Sequence, residues 1–248
     1  MEVAYLSDIG RQRENNQDYV GTFKNQAGLE FAIVADGIGG HQGGDVASTM
    51  AVSHMGSRFE DTSFRDPGTA AKWLSSEAQQ ENETIIEKAR QYQDLSGMGT
   101  TIVAAIIFRS QFLLANIGDS RGYLLRHGQL AQLTEDHSLV NELVKLGQIT
   151  EEDARTHPEK NIITRTLGIN DEADIDINLY HAQPQDLVML CSDGLTNMVT
   201  DVQIQSVLQQ ALTMQEKCQR LIDLANEAGG RDNITVLLIS AEGEVDAS

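Results

Sequence analysis

The chain has 248 residues, of which 37 are acidic and 18 basic, for a formal charge of −19, and 40% are apolar. That length suits one large core, and the acidity, with no local basic patch against it, excludes a nucleic acid backbone or an anionic membrane as partner. Two cysteines cannot build a disulfide framework and no apolar run is long enough to span a bilayer, so a cytoplasmic monomer with one domain over residues 1–248 and no membrane insertion is expected.

In chain order, residues 2–6 read as a short strand that ends in a turn at Ser7 to Gly10. A wholly polar octet follows from Arg11 to Asp18, and residues 19–23 resume a strand pattern with Asp18 at its start. A turn at residues 25–28 leads into the apolar run 31–35, which stops at Asp36 and gives way to Gly37-Ile38-Gly39-Gly40-His41-Gln42-Gly43-Gly44. In a hairpin the start of the first strand lies beside the end of the second, so Asp18 and Asp36 are expected as neighbours on one rim. The glycine loop is no P-loop, because neither Lys-Ser nor Lys-Thr follows it.

Residues 45–58 and 67–93 read as helices, the second opened by Asp66-Pro67 and carrying a core-facing stripe of Ala70, Trp73, Leu74, Ala78, Ile85, Ile86 and Ala89. Strands follow at 102–108, 112–117 and, past Gly118-Asp119-Ser120-Arg121, at 122–126; their hairpin spacing predicts antiparallel sheet. Residues 135–146 resemble a short capped helix, and the polar, irregular stretch 147–167 is a candidate flap. His137 and His157 have no second His or Cys at ligand spacing and are assigned structural roles. Strands resume at 175–180 and 186–191, the latter delivering Asp193. Helices at 200–212 and 214–228 then lead to Asp232 and a last strand at 234–240. Asp232 reaches the rim of Asp36 and Asp193 only if that strand runs antiparallel to theirs.

An apolar run that ends in Asp thus recurs at Asp36, Asp119 and Asp193. Converging carboxylates raise one another's pKa, so something cationic is expected among them. Glycine turns offer carbonyl oxygen and no His or Cys cluster offers nitrogen or sulfur, which points to Mg²⁺ or Mn²⁺ rather than zinc. Two such ions roughly four ångströms apart lower the pKa of a water between them, and the implied chemistry is hydrolysis. Arg13, near these acids, could hold a phosphate in bidentate fashion.

Six motifs now stand in order: Asp8-Ile-Gly10-Arg-Gln-Arg13-Glu-Asn-Asn16-Gln-Asp18, Asp36-Gly37-Ile-Gly-Gly40-His41, Gly97-Met-Gly-Thr-Thr101, Gly118-Asp119-Ser-Arg121, Ser192-Asp193-Gly194 and Gly230-Arg-Asp232-Asn233. Together they closely resemble the bacterial branch of the PPM/PP2C protein serine/threonine phosphatases. The resemblance implies an α+β fold, a four-layer αββα sandwich of two antiparallel β-sheets flanked by antiparallel helix pairs. It implies a metal-dependent hydrolase of phosphoserine and phosphothreonine in proteins, reversing a cognate Ser/Thr kinase. By the same resemblance Asp36 bridges two ions (Mn²⁺ or Mg²⁺), the Gly37 carbonyl binds the second, and Asp193 and Asp232 complete the first. Asp18 acts through water, Asp119 with Asp193 holds a third ion, and Arg13 binds the substrate phosphate.

Two positions depart from the animal enzymes. Gln17 stands where they have Glu, and Ile38 where they have a histidine that acts as general acid; His41 is the candidate replacement. A noncatalytic metal-binding module and a two-metal phosphodiesterase are the competing functions. The intact acid set opposes the first, and the lack of basic and aromatic surface opposes nucleic acid as a substrate of the second.

Overall fold

The computed structural model describes residues 1–39 and 43–240. One sheet consists, in spatial order, of β1 (Val3–Asp8), β11 (Ile234–Ser240), β10 (Leu187–Cys191), β7 (Arg121–Arg126) and β8 (Gln129–Gln132). The other consists of β2 (Asp18–Lys24), β3 (Glu30–Ile38), β5 (Ile102–Ile107), β6 (Gln111–Ile117) and β9 (Asp176–His181), with the short β4 (Gly99–Thr100) paired to the end of β3. Every strand pair is antiparallel.

The period of two explains why the central strands are unbroken apolar runs. On β3, Phe31, Ile33 and Ala35 pack toward α1 (Gly43–Glu60) and α2 (Pro67–Gln91), while Ala32 and Val34 pack against the opposite sheet. On β10, Met189 and Cys191 face α6 (Asp201–Leu208) and α7 (Met214–Glu227), and Val188 and Leu190 face the other sheet. The strands are therefore buried on both faces, and the layers run helix, sheet, sheet, helix. This is the αββα sandwich that the sequence motifs imply.

The α2 helix opens as expected, with Asp66 accepting from the Thr69 N–H and Pro67 in the first turn. Trp73 is packing, its ring 5.7 Å from Phe31 and 5.3 Å from Phe59. Both cysteines are free and buried. Among the described residues no helix is long and apolar enough to cross a membrane.

Four local features differ from expectation. The strands at 112–117 and 122–126 do not form a hairpin: β6 pairs with β5 and β9, β7 with β10 and β8, so the Gly118–Ser120 turn carries the chain from one sheet to the other. The strand β8 has no apolar pattern and is set by its turn, where His127 (φ 50°) and Gly128 (φ 77°) supply the two left-handed residues of a tight hairpin. The stretch 147–167 is not irregular throughout, since Thr150 and Asp153 form a capping box that starts α4 (Glu151–Thr156). The helix read at 135–146 is the shorter α3 (Leu139–Lys145), capped by Ser138, because Asp136 and His137 are engaged elsewhere.

Candidate active site

The rim forms where strand ends meet. The β2–β3 register sets Asp18 directly opposite Asp36, as the hairpin argument requires. Because β11 runs antiparallel to β10, Asp232 just before β11 comes to the same end as Asp193 just after β10. Asp119 arrives by the turn that carries β6 into β7.

Close backbone approach makes this possible at two glycines. A side chain on Gly37 would come within 2.2 Å of the Gly44 carbonyl oxygen, so the start of α1 folds back onto the end of β3. One on Gly194 would lie 1.9 Å from the Asn233 carbonyl oxygen, and its absence brings Asp193 against Asp232 and Asn233. Asn233 in turn accepts the Gln17 N–H at 2.8 Å and donates to the Ile9 and Asn15 carbonyls at 2.9 Å, which fastens the polar octet to the rim.

A layer of hydroxyls holds the acids. Asp18 Oδ2 accepts from Ser192 Oγ and Thr235 Oγ1, each at 2.7 Å, while its Oδ1 is buried without a hydrogen-bond partner. The Asp36 N–H donates to Thr101 Oγ1 at 3.0 Å, and that hydroxyl also meets Ser120 Oγ at 2.8 Å. Asp193 Oδ2 accepts from Asn197 at 2.8 Å and its Oδ1 is buried and unpartnered. Asp232 pairs with the Arg13 guanidinium at 2.8 Å.

Burial and mutual repulsion keep the carboxyls of Asp18, Asp36, Asp119 and Asp193 from ionising at their ordinary pH. Burial pushes Asp18 up to about 7 against the two hydroxyl bonds that oppose it, with Asp193 and Asp232 adding to the rise. Asp36 is raised well above the usual carboxylate range by burial, then by the charges of Asp18, Asp193, Asp119 and Asp232. Asp119 is raised by burial and by Asp193. Asp193 is lifted to about 6 by burial and by Asp232, against the opposing charges of Arg121 and Arg13.

This donor set fits a hard divalent cation. Its donors are all oxygen, two of them are buried with no partner, and added positive charge would relieve the repulsion. Among the described residues no three acid, histidine or cysteine side chains close on one point as a finished cage. Instead Asp232 is turned to Arg13, and Asp18 to its two hydroxyls.

Asp18, Asp36, Asp119, Asp193, Asp232, Gly37 and Arg13 are thus gathered at one end of the sandwich, whereas His41 lies outside the described residues. Sequence reasoning missed Thr101, Ser120, Ser192 and Thr235. The available signal was a hydroxyl inside or beside an apolar run at the end that carries an acid.

The protein phosphatase 2C family model matches residues 10–234. A serine/threonine phosphatase, stp, from Listeria monocytogenes is 46% identical over 243 residues, covering 98% of this chain and 96% of the relative. The solved serine/threonine phosphatase of S. agalactiae superposes with a TM-score of 0.94 at 45% identity, covering 97% of this chain and 99% of that one. The catalytic domain of the serine/threonine protein phosphatase PstP, solved with two manganese ions, matches with a TM-score of 0.86 at 36% identity over 97% of this chain and 98% of its own. With a family match across the whole rim and full-length relatives at this identity, the chain belongs to the protein phosphatase 2C family.

Proposed function

We propose that this chain is a cytoplasmic, metal-dependent protein serine/threonine phosphatase whose catalytic unit spans the whole described fold and whose reaction reverses a Ser/Thr kinase. The observation that carries the reading is the set of buried acids Asp18, Asp36, Asp119 and Asp193, which repel one another at the rim of the sandwich. Two divalent ions, Mn²⁺ or Mg²⁺, would supply the positive charge there and lower the pKa of an attacking water. Asp36, the Gly37 carbonyl, Asp193 and Asp232 are the residues proposed to hold them, and Asp119 with Asp193 a weaker third. The PstP relative with two manganese ions supports that assignment.

The chain's own groups do the rest. Asp18, clamped by Ser192 and Thr235, offers its unpartnered Oδ1 as the acceptor that orients water. Arg13, half-exposed beside Asp232, presents a planar fork that suits two oxygens of a phosphate monoester. The chain bears Ile38 where the animal enzymes have their acid, so the departing alkoxide takes its proton from the Asp119 side of the cleft or from His41. Residues 147–167 serve as a flap over the substrate.

Hydrolysis of a phosphothreonine peptide and of a model phosphodiester, each with Mn²⁺ and with EDTA, tests this reading. Turnover of the peptide alone, abolished by EDTA, is expected. Preferred turnover of the diester would replace the reading with a phosphodiesterase, and metal binding without turnover would replace it with a binding module.

A further inference from the structure

His137 is 3% exposed and touches none of the acids, yet it satisfies both backbone polar groups of the residue that precedes one of them. The Gly118 N–H donates to His137 Nδ1 at 3.1 Å, and the His137 N–H donates to the Gly118 carbonyl at 2.9 Å. Gly118 is in turn bonded to Asp119, on the turn that carries β6 of one sheet into β7 of the other. A donor at Nδ1 leaves that nitrogen unprotonated, so the ring proton sits on Nε2. Nε2–H then donates to Asp176 Oδ2, 3.2 Å away at the start of β9, and the Arg165 guanidinium reaches the same carboxylate through Oδ1 at 3.3 Å. The His137 carbonyl accepts the Thr164 N–H at 2.8 Å, so the turn and the far end of the candidate flap share one fixed point.

We propose that His137 is a positioning residue for Asp119: its imidazole, oriented by Asp176, fixes the backbone of Gly118 and thereby the place of the Asp119 carboxylate in the cleft. The significance of Asp119 rests on the phosphatase reading above, whereas the clamp on Gly118 does not. A buried N–H that loses its acceptor cannot turn to water without moving the turn, and the adjoining carboxylate moves with it. The sequence alone offers no such role, since His137 has no ligand spacing and its partners lie 19 and 39 residues away.

Two substitutions separate the halves of the ring. His137→Asn keeps an acceptor near the Nδ1 position and loses the reach to Asp176, while His137→Gln keeps a donor near Nε2 and offers nothing to Gly118. Three readouts apply to each: exchange of the Gly118 amide in the full-length protein, kcat and KM on an aryl phosphate with Mn²⁺, and Tm. His137→Asn is expected to keep Gly118 protected and kcat within about threefold of the parent. His137→Gln is expected to expose the Gly118 amide and to lose about tenfold to a hundredfold in kcat with KM little changed, as a misplacement of a site group does. Equal losses in both variants that simply follow Tm would make His137 a core residue and overturn the proposal, as would unchanged Gly118 exchange in His137→Gln. Should neither variant fold, Asp176→Ala at the half-buried start of β9 carries the test. Faster Gly118 exchange with a lower kcat supports the clamp, and unchanged exchange overturns it. Asp119→Ala serves as the separating control: full activity there would remove Asp119 from the reaction while leaving the exchange result on His137 to stand by itself.

Discussion

Two groups of buried acids in this molecule live under opposite rules. Glu81 on α2 is fully buried and Asp186 is 1% exposed, yet each is matched by a cation: Glu81 by Arg58 at 2.6 Å, with the His54 ring beside it at 2.9 Å, and Asp186 by the Arg126 fork at 2.6 and 2.9 Å with the Gln183 N–H at 2.8 Å. At the rim, Asp18 and Asp119 are 6% and 9% exposed and their charged neighbours are chiefly other acids. Arg121, close enough to help Asp119, is committed to Asp136 through three hydrogen bonds. A paired buried acid fastens elements together, and here Glu81 ties α2 to α1. An unpaired one costs folding free energy and persists where a ligand supplies the missing charge.

The largest effects come from exchanging one group's logic for the other's. Asp36→Asn is expected to lose at least about a thousandfold in kcat, the several kcal/mol that a metal contributes to such a transition state. The metal-free variant should unfold at a higher temperature than its parent near pH 7, since an amide is spared the proton that the buried Asp36 must take up on folding. Glu81→Gln should do the reverse, losing about 1–2 kcal/mol of stability because Arg58 keeps Glu77 but loses its fully buried partner, with kcat near normal at temperatures where the protein remains folded. Assay and urea denaturation of both variants check the pair. A stability loss in Asp36→Asn together with an activity loss in Glu81→Gln would dissolve the distinction.

Loss of Asp119 comes next. Asp119→Ala should retain the two tighter metal-binding events by calorimetry and lose the weaker one. Its kcat should fall about tenfold further on a phosphothreonine peptide than on an aryl phosphate, whose better leaving group needs no proton. Equal losses on both substrates would remove the proton-delivery role from this side of the cleft.

The rim also sets a pH dependence of unusual sign. Asp18 and Asp193 titrate near 7 and 6 when folded, against 3.8 for an ordinary Asp, so between those values the folded, metal-free protein holds more protons than the unfolded chain. Their contribution is therefore most favourable below about pH 4 and is lost as the pH rises toward 7. In EDTA, the stability gained by Asp18→Asn over the parent should grow from pH 5 to pH 7, and saturating Mn²⁺ should abolish that trend. A gain that shrinks with pH would show that Asp18 is compensated without metal.

How much of this was legible follows from the same contrast. Asp36, Asp119 and Asp193 could be found because each ends an apolar run, and period-two burial makes such runs visible; Asp18 opposite Asp36 needed only hairpin geometry, and Asp232 only the antiparallel sense of the last strand. The hydroxyls that hold them were not visible, since Thr101, Ser192 and Thr235 look like ordinary strand-end residues until two sheets are stacked. Glu81 and Asn82 interrupt the apolar stripe of α2 between Ala78 and Ile85 and the sequence assigns them no role, yet both are fully buried by partners on other elements, Arg58 and His54 for the first and the Asn170 and Asp171 carbonyls for the second. The β6-to-β7 crossing was misread for a related reason: spacing gives the length of a connection, while its destination depends on which sheet has an open edge.

Arg13 tests the comparison where its two sides meet, because it gives a rim acid, Asp232, the kind of cation that Glu81 and Asp186 have. The resemblance assigns Arg13 to substrate, and the pair at 2.8 Å shows a second use for the same guanidinium. With side chains 49% and 35% exposed, the pair lies in water and contributes no more than about 1 kcal/mol to stability. Arg13→Ala should therefore leave Tm nearly unchanged and raise KM for an aryl phosphate about tenfold, the worth of one charge-assisted hydrogen bond. The effect on kcat should be small, because a fork that grips the phosphate binds ground state and transition state alike. Arg13→Lys should recover part of the KM, since a point charge cannot reproduce a bidentate grip. If KM is unmoved and Mn²⁺ affinity falls instead, Arg13 belongs with Arg58 and Arg126 as a partner that organises an acid, and the phosphate must be held by another group.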